Sequence, residues 1–252
     1  MKIKEVRVGQ IYRNSQGSEC SVIYINGSLD VGIQYLDRFS HERSVQCAAL
    51  SSGRHRNPYH PTCFGAGFLG VGRFASGGGR FSVPEHATWT RMLQRCYSGG
   101  YQSAQPTYAG CSVTDEWLDY QKFAEWLTSQ PAWGMPGFEL DKDLIFLGNK
   151  IYSPDACSLV PGAINCLIST RARKGSSPLG ACFNKEKGKY TAFCMDGDGN
   201  NKYLGAFADA VEAFSVYKSY KERVIKMVAE RFRAQIDPRV FHTLMNYEVL
   251  PA

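Results

Sequence analysis

Leu140-Asp-Lys-Asp-Leu-Ile-Phe-Leu-Gly148-Asn149-Lys-Ile-Tyr-Ser153-Pro154-Asp155-Ala-Cys-Ser-Leu-Val-Pro-Gly-Ala-Ile-Asn165 lies at the centre of this chain. Two carboxylates, Asp141 and Asp143, flank Lys142, and Gly148-Asn149 supplies a turn. Ser153 is a suitable helix cap, and Pro154 fits the first helical position because its missing N–H would have no partner there. The expected layout is a strand, a Gly-Asn turn, a second extended piece and a short helix starting at Ser153, a ββα unit. Asn165 follows one short apolar segment later.

This segment resembles the HNH (ββα-metal) nuclease core of phage homing-endonuclease-like proteins. There an acidic-plus-basic pair opens the strand, a Gly-Asn turn follows, and a helix ends near an asparagine; Asn149 and Asn165 fall at such positions. The resemblance implies catalytic roles for Asp141, Lys142, Asp143, Asn149 and Asn165, with Asp141 and Asp143 as oxygen ligands for Mg²⁺ or Mn²⁺. The family's general-base histidine is replaced by Lys142 or Asp143, and no histidine lies between His86 and His242. A lysine between two carboxylates keeps its charge and makes a poor base, whereas an aspartate can act as a weak one. Two readings therefore stand: a cutting endonuclease, and a chain that kept the scaffold without the chemistry, with Asp141 or Asp143 pairing Arg91, Arg95 or Lys150.

Working outward, 252 residues with 44% hydrophobic content can bury a large core or build two to three small domains. The sequence holds no apolar run long enough for a membrane span and no secretory leader, so the expected setting is the cytoplasm, for a phage protein that of an infected bacterial cell. Nine scattered cysteines without a Cys-x-x-Cys pair argue against a disulfide framework or a zinc knuckle and for reduced thiols.

Residues 1–75 read as a small β module resembling a barrel. Its strands are expected at Val6–Tyr12, Cys20–Ile25, Val31–Leu36 and Ser44–Leu50, with turns at Asn14–Gly17 and Asn26–Ser28. Arg54, His55 and Arg56 lie in a loop that either touches phosphates or is a solvated turn. Gly65-Ala-Gly-Phe-Leu-Gly70 lacks the lysine-serine pair of a phosphate loop and reads better as a turn or a close backbone approach. A glycine-rich joint at Ser76–Gly79 precedes the central domain, residues 87–168. This opens on a helix at Ala87–Tyr97, with Trp89, Met92, Leu93 and Cys96 on one stripe, and Trp117, Phe123 and Trp126 are also spaced for burial.

The excess charge is concentrated. Of 29 basic and 23 acidic residues, thirteen and seven fall between Arg171 and Arg233, so this region carries the whole net charge of +6. It begins with a basic linker, Ser169–Ser177, whose Arg171, Arg173 and Lys174 are suited to a DNA backbone or minor groove. Three short strands follow, Leu179–Phe183, Tyr190–Met195 and Lys202–Phe207, then a helix capped by Asp209 with apolar positions at Ala213, Phe214, Tyr217, Val224, Val228 and Phe232.

Residues 178–235 resemble the DNA-binding domain of plant ethylene-response factors (Apetala-like), which also occurs in phage homing endonucleases; Gly180, Gly188-Lys189-Tyr190-x-Ala192, Leu204-Gly205-x-Phe207 and Glu212-Ala213 carry the likeness. In that family the sheet enters the major groove with a helix behind it. The resemblance implies DNA contacts at Lys185, Lys187, Lys189, Tyr190 and Lys202. Lysines stand where the family commonly has arginines, which weakens bidentate reading of guanine. An exposed lysine edge also guards a sheet against pairing with another sheet. Residues 236–252 form a tail with a short helix at Arg239–Tyr247.

The expected fold class is thus α+β: a small β module, a central helix plus ββα unit, and a three-stranded antiparallel sheet with a long helix. The expected partner is double-stranded DNA, with no membrane. The first function is a phage homing-type DNA endonuclease. The second, of a different class, is a DNA-binding regulator or counter-defence protein that binds a host protein.

Overall fold

The computed structural model describes residues 5–77, 82–168 and 179–251. The chain is a mixed α+β protein that divides into two compact units, Met1–Glu125 and Trp126–Ala252.

The first unit opens with β1 (Ile11–Arg13), β2 (Glu19–Gly27), β3 (Asp30–Tyr35) and β4 (Glu42–Val45), antiparallel neighbours in that order. Among the described residues this sheet stays open and no barrel closes, because β1 and β4 remain separate edges. Alternation sends Cys20, Val22, Val31, Ile33 and Tyr35 into one core. The strand expected over Ser44–Leu50 ends at Val45; Cys47–Ser51 is instead α1, whose Cys47 and Leu50 meet the same core at helical spacing. The strand expected at Val6–Tyr12 shrinks to β1, since Gly9 (φ +82°) turns the chain before it.

α2 (Pro84–Tyr97) begins on a proline at its first position and buries Trp89, Met92, Leu93 and Cys96. The indole N–H of Trp89 donates to the carbonyl of Trp117 at 2.8 Å. Beyond it lie α3 (Gly99–Ala104), β5 (Ser112–Val113), α4 (Asp115–Leu118) and α5 (Tyr120–Ser129), within which the two units divide. The glycine run serves close approach: a side chain at Gly67 would strike Trp89 and Leu93, one at Gly70 Asp119, and one at Gly72 Gln121. Gln121 clamps the run's end, accepting from Phe74 N–H and donating to Phe74 and Leu69 carbonyls.

In the second unit β6 (Phe138–Asp141) pairs with β8 (Ser158–Pro161), the register running from Phe138 opposite Pro161 to Asp141 opposite Ser158. The intervening β7 (Ile151–Tyr152) is not its partner. The helix expected at Ser153 does not form. Ser153 Oγ accepts from Ala156 N–H at 3.1 Å and the Ser153 carbonyl from Cys157 N–H at 3.0 Å, closing one turn, after which the buried Leu159 and Val160 continue as strand. A single turn carries the nucleation cost of a helix without its propagation. The helix comes later, as α6 (Gly162–Ile168).

β9 (Ala181–Asn184), β10 (Lys189–Met195) and β11 (Asn201–Phe207) form an antiparallel sheet with β10 in the middle. α7 (Ala210–Arg231) is capped by Asp209, whose carboxylate accepts from Glu212 N–H. It lays Ala213, Tyr217, Val224 and Val228 against Ala181, Ala192 and Cys194 of the sheet. α8 (Pro238–Met245), capped by Asp237, adds Val240 and Leu244 to this core, as the 144–167 segment adds Leu144, Val160, Ile164 and Leu167. Among the described residues no helix is long and apolar enough to cross a membrane.

Gly180, at φ +77°, leads into β9 with its α-carbon against the Tyr217 ring. Gly180→Ala adds both left-handed backbone strain and a collision with that ring, so urea unfolding is expected to show a loss of about 2–3 kcal/mol. An unchanged midpoint would mean that Tyr217 does not seat on the glycine.

Candidate functional site: an acid-lysine loop and an open sheet face

The loop after β6 is held by its own polar groups. Asp141 Oδ1 accepts from the backbone N–H groups of Asp143 (3.0 Å) and Leu144 (2.8 Å), an Asx-type turn. Lys142 is buried, and its Nζ donates to Asp143 Oδ2 and to the Asn149 carbonyl, both at 3.0 Å. The Asn149 side chain donates to the carbonyls of Lys142 and Ile151, each at 2.7 Å, and accepts from Ile151 N–H at 3.1 Å. Asp141, Lys142, Asp143 and Asn149 are therefore brought together as the loop's internal staple. Asn165 is bound elsewhere: it sits on α6 and donates to Glu139 Oε2 at 3.3 Å.

Burial pushes the Asp141 carboxyl up to about 6, and the Asp143 charge adds to the effect; the N–H groups of Leu144 and Asp143, and the Lys142 ammonium, oppose it. Tyr247, which sequence reasoning did not single out, is raised by burial and by the Asp143 charge. The donor set does not fit a divalent ion well. One carboxylate oxygen is committed to two backbone donors, the other carboxylate is in an ion pair, and a lysine ammonium lies beside them. Among the described residues no group of three or more His, Cys, Asp or Glu side chains could hold a metal.

In the basic region, Arg171, Arg173 and Lys174 lie outside the described residues. Lys185 and Lys187 stand exposed on the β9–β10 turn, and Lys189 begins β10. Strand alternation then sorts the rest. Ala192 and Cys194 face α7, so Tyr190, two residues earlier, packs toward the same core, with Phe183 beside it at 5.0 Å between ring centroids. Lys202 pairs across from Cys194 and places its ammonium 5.5 Å from the Tyr220 ring of α7. Tyr190 and Lys202 thus belong to the helix side of the sheet.

The opposite face carries Lys189, Thr191, Phe193 and Met195 of β10 with Asn201 and Tyr203 of β11. Phe193 is 40% exposed, Met195 44% and Tyr203 53%, and the Phe193 and Tyr203 rings lie 5.2 Å apart across the strands. An exposed group of two aromatics and a thioether on one face is unusual for a solvated sheet surface. The signal was present in the sequence, since the small buried Ala192 and Cys194 assign the alternate residues outward.

In the first unit, His55 is no phosphate ligand in waiting. It is buried against the Tyr35 hydroxyl (3.0 Å) and the Cys20 thiol, and burial together with the Arg43 charge pushes its imidazole down. Its neighbours Arg54 and Arg56 are exposed.

Comparison with protein-family models, with curated proteins and with solved structures finds no match for this chain.

The Asp141 carboxyl sets a pH dependence whose sign is fixed. Because its folded value lies near 6 and the free side chain titrates at 3.8, its contribution to stability is greatest below about 4 and is lost as pH rises through 6. Asp141→Asn retains the accepting Oδ1 and removes the titration. Urea unfolding between pH 4 and 7 is expected to show wild type gaining on the variant as pH falls, by on the order of 3 kcal/mol in full. A difference that does not change with pH would place Asp141 in water.

Proposed function

We propose that this chain is a double-stranded DNA-binding protein whose β9–β11 sheet docks through its open face. The observation that carries the reading is the division of that sheet: one face is sealed by α7, while the other, uncovered among the described residues, is flanked by the exposed Lys185, Lys187 and Lys189. Lysines at a turn neutralise phosphates without reading bases, and the strand face they flank supplies the contact surface. The likeness to the ethylene-response-factor domain supports the same arrangement, a sheet in the major groove with a helix behind.

The acid-lysine loop takes a structural role in this reading. Its four clustered polar side chains spend their hydrogen bonds on the loop itself, which favours the HNH-like scaffold without cleavage. The second reading, a homing-type endonuclease using Mg²⁺ or Mn²⁺, draws on the burial of the Asp141 carboxyl beside Asp143, which raises it and makes it a better proton acceptor than an ordinary aspartate.

Binding to mixed-sequence duplexes is expected to weaken as salt rises. Replacing Lys185, Lys187 and Lys189 together by Gln should reduce the slope of log affinity against log salt by roughly 2–3, while Lys202→Gln moves it little. Retention that ignores salt, or a triple variant equal to wild type, would remove the proposal. Supercoiled plasmid with Mg²⁺ or Mn²⁺ is expected to stay intact; nicking abolished by both Asp141→Ala and Asp143→Ala would establish the second reading.

A further inference from the structure

We infer that the open face of the β9–β11 sheet selects A·T base pairs, by apolar contact with the C5 methyl of thymine and by the Asn201 side-chain amide on adenine. This rests on the DNA-binding reading and gives it a substrate class.

The chemistry of the face narrows what it can read. Guanine is recognised in the major groove by two donors aimed at O6 and N7, most often from an arginine. The outward positions of the three strands hold no arginine, and their single cation, Lys189, stands at the very start of β10. What they present is Phe193, the Thr191 methyl and Tyr203 in the middle and Met195 at the last position of β10. The groove's one apolar feature is the thymine methyl, for which aromatic, thioether and methyl groups are suitable neighbours.

The pairing register adds the second half. Asn201 lies directly across from Met195 and shares its face, as Tyr203 does with Phe193. A carboxamide can set one N–H donor and its carbonyl acceptor side by side, the complement of adenine N7 and N6–H. Met195 beside Asn201 therefore matches the two partners of one T·A pair, a methyl and an adenine edge.

Charge sets which end of the sheet meets the backbone. The β9–β10 turn holds Lys185 and Lys187 around a single Glu186. The β10–β11 turn is acidic, but Asp198 is bound by Arg231 at 2.8 Å and Asp196 accepts from the N–H groups of Asp198 and Asn200 in its own turn. The phosphate contacts therefore come from the lysine end.

The test is selection of bound duplexes from a random pool with the full chain, followed by resynthesis of the selected site with deoxyuridine in place of thymidine, which removes only the C5 methyl. The expected result is an A·T-containing consensus whose affinity drops about threefold to fourfold for each contacted methyl removed. Phe193→Ala, at an exposed position, should bind more weakly and lose part of the thymine-uracil difference, with circular dichroism confirming the fold. A G·C consensus, or equal affinity for thymine and uracil duplexes, overturns the A·T assignment and leaves DNA binding standing. If no duplex is retained at low salt, the DNA-binding reading fails and this inference fails with it.

Discussion

The packing of α7 across one face of a three-stranded sheet is the constraint from which the proposed DNA-binding surface follows. Strand side chains alternate, so each small residue given to the helix, Ala181, Ala192 and Cys194, assigns its neighbours to the other side. The 22-residue helix is long enough to cover the sheet and still engage α8 and α6. Among the described residues no second layer covers the remaining face, where Phe193 and Tyr203 are exposed. Apolar surface left open in this way is a standing free-energy cost, and a partner that covers it recovers that cost.

Much of this was legible in the sequence, and the reasons differ from element to element. Asp209 before an apolar stripe announced α7, and Trp89, Met92, Leu93 and Cys96 announced α2, because caps and helical periodicity are local signals. Ser153-Pro154 carried the same local signal and misled, since the pairing of Leu159 and Val160 with β6, a contact distant in sequence, was stronger than one capped turn. Cys47–Ser51 misled in the opposite direction, a short apolar run that serves equally as strand or helix until the core decides.

The site was less legible than the fold. Reading lysines as a set placed Lys202 with Lys185, Lys187 and Lys189, although the register turns Lys202 toward Tyr220. Motif spacing grouped Asn165 with Asp141, Lys142, Asp143 and Asn149, whereas Asn165 bonds Glu139. The acid-lysine loop shows how the same residues admit chemistry or architecture. Carboxylates, an ammonium and a carboxamide close in sequence suit a hydrolytic centre, but here their hydrogen bonds close on one another and on nearby backbone, which rigidifies a loop lacking regular structure.

Lysine-directed acylation read by mass spectrometry reports whether the β9–β11 sheet is the surface that meets duplex DNA. The full chain is labelled free and with saturating duplex. Labelling of Lys185, Lys187 and Lys189 is expected to fall severalfold in the complex, while that of Lys202, on the helix side, changes little. Equal labelling of all four with and without bound duplex, or protection confined to lysines outside the β9–β11 sheet, would contradict it.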